Sequence, residues 1–126
     1  MDSDTRSTGL QGEELASRYL VKKGYTILCR NWRAKSVNYE LDIVARQGST
    51  VVFFEVKTDR TGRFGPSITW VTPLKMKRIA KAARDFIANN VLENCSFRFD
   101  VIGIETREGK SKINHLENAF MAPEDT

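Results

Sequence analysis

Residues 40–57, ELDIVARQGSTVVFFEVK, constrain this chain more than any other stretch. They divide into two apolar runs around Gly48-Ser49, a dipeptide suited to a type II′ hairpin turn with glycine first. A turn of that kind pairs Gln47 with Thr50. Counting outward then places Asp42 opposite Glu55, and Glu40 opposite Lys57. Side chains alternate along a strand, so these four project from one face. The other face, Leu41, Ile43, Ala45, Val52, Phe54 and Val56, is wholly apolar.

Like charges directly opposite in a sheet are destabilising. Carboxylates held that close need a cation, a shared proton or a basic neighbour. A hard divalent ion such as Mg²⁺ takes carboxylates together with waters and phosphate oxygens, and would satisfy both acids. Lys57, just beyond Glu55, could then stabilise charge on a phosphate or orient an attacking water. The plainer alternative is an ion pair of Glu40 with Lys57 beside two solvated acids.

At 126 residues the chain is expected to be a single domain, with residues 1–8 and 122–126 as flexible tails. Its 20 basic residues exceed its 16 acidic ones, a net charge of +4. With the acids gathered at the hairpin and the bases elsewhere, that balance suits a polyanionic partner. No apolar run approaches the ~18 residues of a membrane span, and the polar N-terminus does not read as a signal peptide. Cys29 and Cys95 have no CxxC spacing and read as reduced thiols of a cytoplasmic protein. With His115 the only histidine, a histidine-based zinc or nucleophile system is not expected.

Around the hairpin, a first helix is expected from about Leu10 to Lys23, opened by a capping box at Thr8 to Gln11 and closed by Gly24. Glu13 falls on its packed side beside Gly12. There it is either a helix-start glutamate favoured by the dipole or a third acid leaning over the hairpin. A strand follows over Tyr25 to Arg33, with Arg30 and Arg33 as candidate phosphate contacts.

Residues 58–71 read as a mobile loop, in which Arg60 and Arg63 flank Phe64 and could grip a phosphate backbone. Thr72-Pro73 starts a second helix, reaching Asn89 or Asn90. Met76, Ile79, Ala80, Ala83 and Ile87 form its packing stripe, while Lys77, Arg78, Lys81 and Arg84 line the other side. Strands over 96–105 and, more weakly, 112–120 complete the chain, and Asp100 has no partner that the sequence identifies. The class is α/β, with a central mixed sheet of four to five strands flanked by helices, in the order αβββαβ with room for a final strand.

With these residues assembled, the chain resembles the small bacterial YraN family of nuclease-like proteins. Through it, the chain resembles the Holliday-junction resolvase branch of the PD-(D/E)xK, restriction-endonuclease-like superfamily. The landmarks are Gly12-Glu13 with Ala16 and Tyr19-Leu20, then Gly24-Tyr25 and Arg30 to Arg33. Glu40 to Asp42 and Val52 to Thr58 follow, then Phe64-Gly65, Lys75 with Arg78-Ile79, Arg98 to Val101, and Asn118 to Phe120. Together they cover nearly the whole chain. Two positions depart from the family pattern: Tyr39 where glycine is usual, and Asp59 where arginine is preferred after Lys57-Thr58.

The resemblance implies a restriction-endonuclease-like fold in which Asp42, Glu55 and the Val56 carbonyl bind Mg²⁺ or Mn²⁺. Lys57 would be the catalytic base or transition-state cation, and Glu13 the supporting acid. Arg30, Arg33, Arg60, Arg63, Lys75, Lys77, Arg78 and Lys81 are the candidate nucleic-acid contacts. The expected function is metal-dependent cleavage of structured or branched DNA, by a chain able to act as a homodimer. The alternative is a nucleic-acid-binding protein that keeps the nuclease fold without turnover.

Overall fold

The computed structural model describes residues 5–60 and 71–122, with side chains from Gln11 onward. In chain order they form α1 (Thr5–Lys22), β1 (Thr26–Ala34), β2 (Tyr39–Gln47), β3 (Thr50–Asp59), α2 (Pro73–Ala88), β4 (Ser96–Arg107) and β5 (Lys110–Phe120). The helix α1 begins at Thr5, upstream of the expected start at Leu10, so Thr5 to Thr8 belong to it rather than to a tail. A nucleated helix gains one hydrogen bond per added residue, so a capping sequence does not by itself stop it. Its other end is as expected. Gly24, at φ +96°, supports a Schellman closure in which Tyr25 N–H donates to the Leu20 carbonyl and Gly24 N–H to that of Val21. At α2, the Thr72 hydroxyl accepts from Lys75 N–H at 3.2 Å ahead of Pro73.

The sheet has five strands in the order β1-β2-β3-β4-β5. All neighbours are antiparallel except β3 and β4, which run parallel and are joined across α2. This mixed α/β architecture is consistent with a restriction-endonuclease-like fold. At the first hairpin Gly48 has φ +60° while Ser49 stays at negative φ, the II′ pattern expected of glycine-first turns. The second hairpin turns on Glu108-Gly109, both at positive φ, which starts β5 two residues before the expected Lys112. Thr58 and Asp59 also extend β3 into the expected loop. Residues 61–70 of that loop, with Arg63, Phe64 and Trp70, lie outside the described residues, as do 1–4 and 123–126.

One helix covers each face. Under α2, Ile79, Ala80, Ala83 and Phe86 pack on Val44, Val51, Phe53 and Val101; under α1, Ala16 and Leu20 pack on Ile43, Val52, Phe54 and Ile102. The central strands are therefore apolar on both faces, not on one as expected, the usual condition of a strand enclosed by helices. Leu41 is a second correction. Instead of lying beside Ile43 under α1, it joins the α2-side cluster with Trp32 and Tyr39.

Candidate active site

The central hairpin comes apart, and the fork is the site. From Gln47↔Thr50 to Ile43↔Phe54 the β2–β3 register is the one counted from the turn, and past Ile43 the pairing ends. From there β2 keeps only β1 as its partner, through Trp32↔Leu41 and Arg33↔Glu40. That departure also explains the re-aimed Leu41. Asp42 and Glu55 stand at the fork, one on each strand. Asp42 substitutes for the lost ladder acceptor: its Oδ2 accepts from Val56 N–H at 2.8 Å. The N–H and C=O of a strand residue point toward the same neighbouring strand, so the Val56 carbonyl is turned into this gap too.

The Glu55 side chain is only 6% exposed. Tyr39 O–H donates to its Oε1 at 3.2 Å, and Lys75 Nζ lies 3.6 Å from its Oε2. Burial, reinforced by the negative charge of Glu55, pushes the Asp42 carboxyl well above the usual carboxylate range, against the pull of Val56 N–H. Burial and the neighbouring Glu55 and Asp42 likewise push up the Tyr39 hydroxyl. Lys57 is pulled below the usual lysine range by burial and by the adjacent Lys75 ammonium, with Glu55 and Asp42 opposing. Among the described residues the alternative Glu40–Lys57 ion pair does not form, and Glu55 is not solvated. The plainer reading of the hairpin is thereby excluded.

Glu13 reaches the same region from the other layer. A Cβ on Gly12 would collide with the Thr58 hydroxyl, so only glycine lets α1 lie this close to β3. Burial raises the Glu13 carboxyl, Asn31 and Arg30 offset part of that, and Glu40 and Glu55 add to it; its Oε1 has no hydrogen-bond partner. Among the described residues, no group of three His, Cys, Asp or Glu side chains converges on one point. What the fork could hold is a hard cation with much of its own water. Asp42, Glu55 and the Val56 carbonyl offer only oxygen, the donor type that Mg²⁺ and Mn²⁺ prefer.

The candidate nucleic-acid contacts divide into two groups. Lys75 joins the fork directly, and Arg78 is close enough for its charge to act on Tyr39. Lys77 and Lys81 are exposed on α2, and Arg60 is exposed at the end of β3. Arg30 is instead paired with Glu14 at 3.1 Å, and Arg33 with the Asn38 side chain at 2.8 Å.

Another buried acid occupies the α1 face. Asp100, fully buried, accepts from Arg98 at 2.9 Å through both Nε and Nη2, from His115 Nε2 at 2.7 Å and from Asn118 N–H at 2.9 Å. His115 Nδ1 is 2.9 Å from the Tyr19 hydroxyl, and Arg98 Nη2 also donates to Tyr25 at 2.7 Å. Burial alone would raise the Asp100 carboxyl, yet the hydrogen bonds from His115 and Arg98 hold it below the usual range. Burial pushes up the Tyr19 hydroxyl at the outer end of the Tyr19–His115–Asp100 line. Sequence reasoning found neither these partners of Asp100 nor the place of Tyr39, which stood out only as a departure from a pattern.

The model of the uncharacterised protein family UPF0102 matches residues 12–104, which include the whole fork. This chain belongs to that family. The UPF0102 membership is consistent with the YraN-like resemblance. A UPF0102 protein of Pelobacter propionicus is 46% identical over 120 residues, spanning 93% of this chain and 84% of that one. Another, of Syntrophomonas wolfei, is 46% identical over 115 residues and spans 91% and 98%. A third, of Chlorobium phaeobacteroides, is 38% identical over 128 residues. Among solved structures, the chain is similar to Pyrococcus furiosus SfsA in complex with Ca²⁺, with 15% identity and a TM-score of 0.42. The match covers 90% of this chain and 64% of that one. Among the described residues no helix is long and apolar enough to cross a membrane.

Proposed function

We propose that this UPF0102 chain is a metal-dependent endonuclease that hydrolyses phosphodiester bonds of structured or branched DNA. The observation that carries the reading is the fork. Two acids from neighbouring strands face one gap, at least one of them shut away from solvent, with a lysine two residues beyond the second. Asp42 and Glu55, with the Val56 carbonyl, would hold Mg²⁺ or Mn²⁺. When bound, such an ion supplies Lewis-acid stabilisation of phosphate charge and a more acidic water. Lys57, depressed by burial, is suited to accept a proton from that water or to lie against the developing phosphate charge. Glu13, its carboxyl raised, is suited to share a proton at the edge of the same gap. Lys75, Lys77, Arg78 and Lys81 supply the positive face along which a phosphate backbone would run.

The test is cleavage of labelled duplex, single-stranded, flap and four-way-junction DNA with Mg²⁺ or Mn²⁺, by wild type beside Asp42→Ala and Lys57→Ala. Cleavage of one form that both substitutions abolish supports the reading, and that form names the substrate. Cleavage that both variants retain assigns the activity elsewhere. One observation favours a second reading, a binding protein without turnover: the described residues bring no third ligating acid to the fork. Salt-sensitive binding that survives Asp42→Ala, with no cleavage of any form, would select it.

A further inference from the structure

The cation that touches Glu55 in this structure is a side chain. Of the four carboxylate oxygens at the fork, Asp42 Oδ2 is engaged by Val56 N–H and Glu55 Oε1 by Tyr39. Glu55 Oε2 faces the Lys75 ammonium at 3.6 Å, which is ion-pair distance but long for a hydrogen bond. Lys75 approaches from the first turn of α2. Its side chain is 31% exposed, so its four-carbon stem can swing the charge toward solvent. Lys57, on β3, lies beside it. A divalent ion entering the fork would meet two ammonium groups, and Lys75 is the one at ion-pair distance from a Glu55 oxygen.

We propose that Lys75 holds the place of the metal at Glu55, so that metal and Lys75 compete for one carboxylate oxygen until a nucleic-acid phosphate draws Lys75 away. This inference rests on the metal reading of Asp42 and Glu55 and adds a form of regulation to it. The free protein binds metal weakly. A phosphate engaging Lys75 removes the competitor, so phosphate and metal assist one another, and by linkage each raises the affinity of the other by the same factor. Lys75 is thus a positioning residue. It needs no contact with the reacting atoms to act.

The experiment is calorimetric or paramagnetic titration of Mn²⁺ into the full chain, without turnover. Wild type runs beside Lys75→Met, Lys75→Arg, Lys81→Met and Glu55→Gln, each checked for folding by circular dichroism. Lys81→Met controls for the loss of one positive charge from the same helix. Lys75→Met is expected to bind Mn²⁺ at least about fivefold tighter than wild type. Lys75→Arg should stay close to wild type, and Lys81→Met within about twofold. A short phosphorothioate duplex, its own Mn²⁺ uptake subtracted, should tighten Mn²⁺ binding in wild type more than in Lys75→Met.

Two outcomes overturn the competition. If wild type binds Mn²⁺ and Glu55→Gln does not, yet Lys75→Met binds no tighter than Lys81→Met, the metal reading stands and the competition is wrong. If Glu55→Gln binds Mn²⁺ as wild type does, or if neither wild type nor Lys75→Met binds it, the metal reading fails and the competition fails with it.

Discussion

Two of the acidic sites that the described residues bury on one sheet, Asp100 and the fork, are treated oppositely. At Asp100 every hydrogen-bonding direction of the carboxylate is used: a bidentate arginine, a histidine and a backbone N–H converge on it. At the fork two acids share one lysine at 3.6 Å, the nearby charge of Lys57, one tyrosine and one backbone N–H. A compensated carboxylate has its pKa lowered and holds the fold together. An undercompensated carboxylate such as Asp42 has its pKa raised and costs the fold stability, which leaves it ready for something from outside. Burial of an acid is common to both sites and does not separate structure from function. Completeness of the partner set does.

The sharpest way to break this comparison is Asp100→Asn. It leaves Arg98 without its ion-pair partner, and removing one member of a buried pair costs about 3 kcal/mol or more. Urea unfolding followed by tryptophan fluorescence should show that loss. A variant as stable as wild type would mean that the Asp100 site is no structural clamp.

Gly12→Ala tests how the fork acquires Glu13. The added methyl meets the Thr58 hydroxyl, and overpacking of this kind costs about 1–3 kcal/mol, partly offset by the better helix propensity of alanine. Thr58→Ala in the same chain should return most of the loss. Additivity of the two changes would show that helix and strand do not meet there.

How far the sequence discloses each site follows from the range of the contacts. The hairpin register is legible because a two-residue turn fixes it, and Gln47↔Thr50 through Ile43↔Phe54 are as counted. The fork is not legible, because counting assumes that a ladder continues; only the tertiary path of β2 along β1 ends it. Asp100 looks solitary in sequence because His115 and Asn118 come from β5, across a register shift between Phe99 and Val101. Asn118 turns its N–H inward from φ +53°, a conformation that asparagine tolerates well and that no periodicity announces. Lys75 is visible as a basic residue at a helix start, whereas its reach to Glu55 depends on where α2 packs.

Asp42→Asn should act in the opposite direction to Asp100→Asn. The amide oxygen can still accept from Val56 N–H, while the repulsion from Glu55 and the burial of a charge disappear. A gain in unfolding free energy near neutral pH is expected, because a raised folded pKa makes the ionised carboxylate a cost to the folded state. A loss of stability would mean that the Asp42 charge is compensated after all, and the contrast between the sites would fall.

The smallest effect, and the most discriminating, is how these two differences change with pH. Asp100 has a depressed folded pKa. Its contribution is therefore complete above the unfolded value near ~3.9 and is lost only as pH falls through the lower folded value. Asp42 has a raised folded pKa, so its penalty is complete above that raised value and is relieved as pH falls through it toward ~3.9. The stability gap between Asp42→Asn and wild type should accordingly be widest near neutral pH and close on acidification to about pH 4. The gap for Asp100→Asn should not close over that same window, because the Asp100 carboxylate keeps its charge there, and should narrow only below it. Taking each variant against wild type at the same pH removes titrations common to both chains. Two gaps that close together would mean that both acids sit in equivalent environments, and the partner count at each site would then have no energetic meaning.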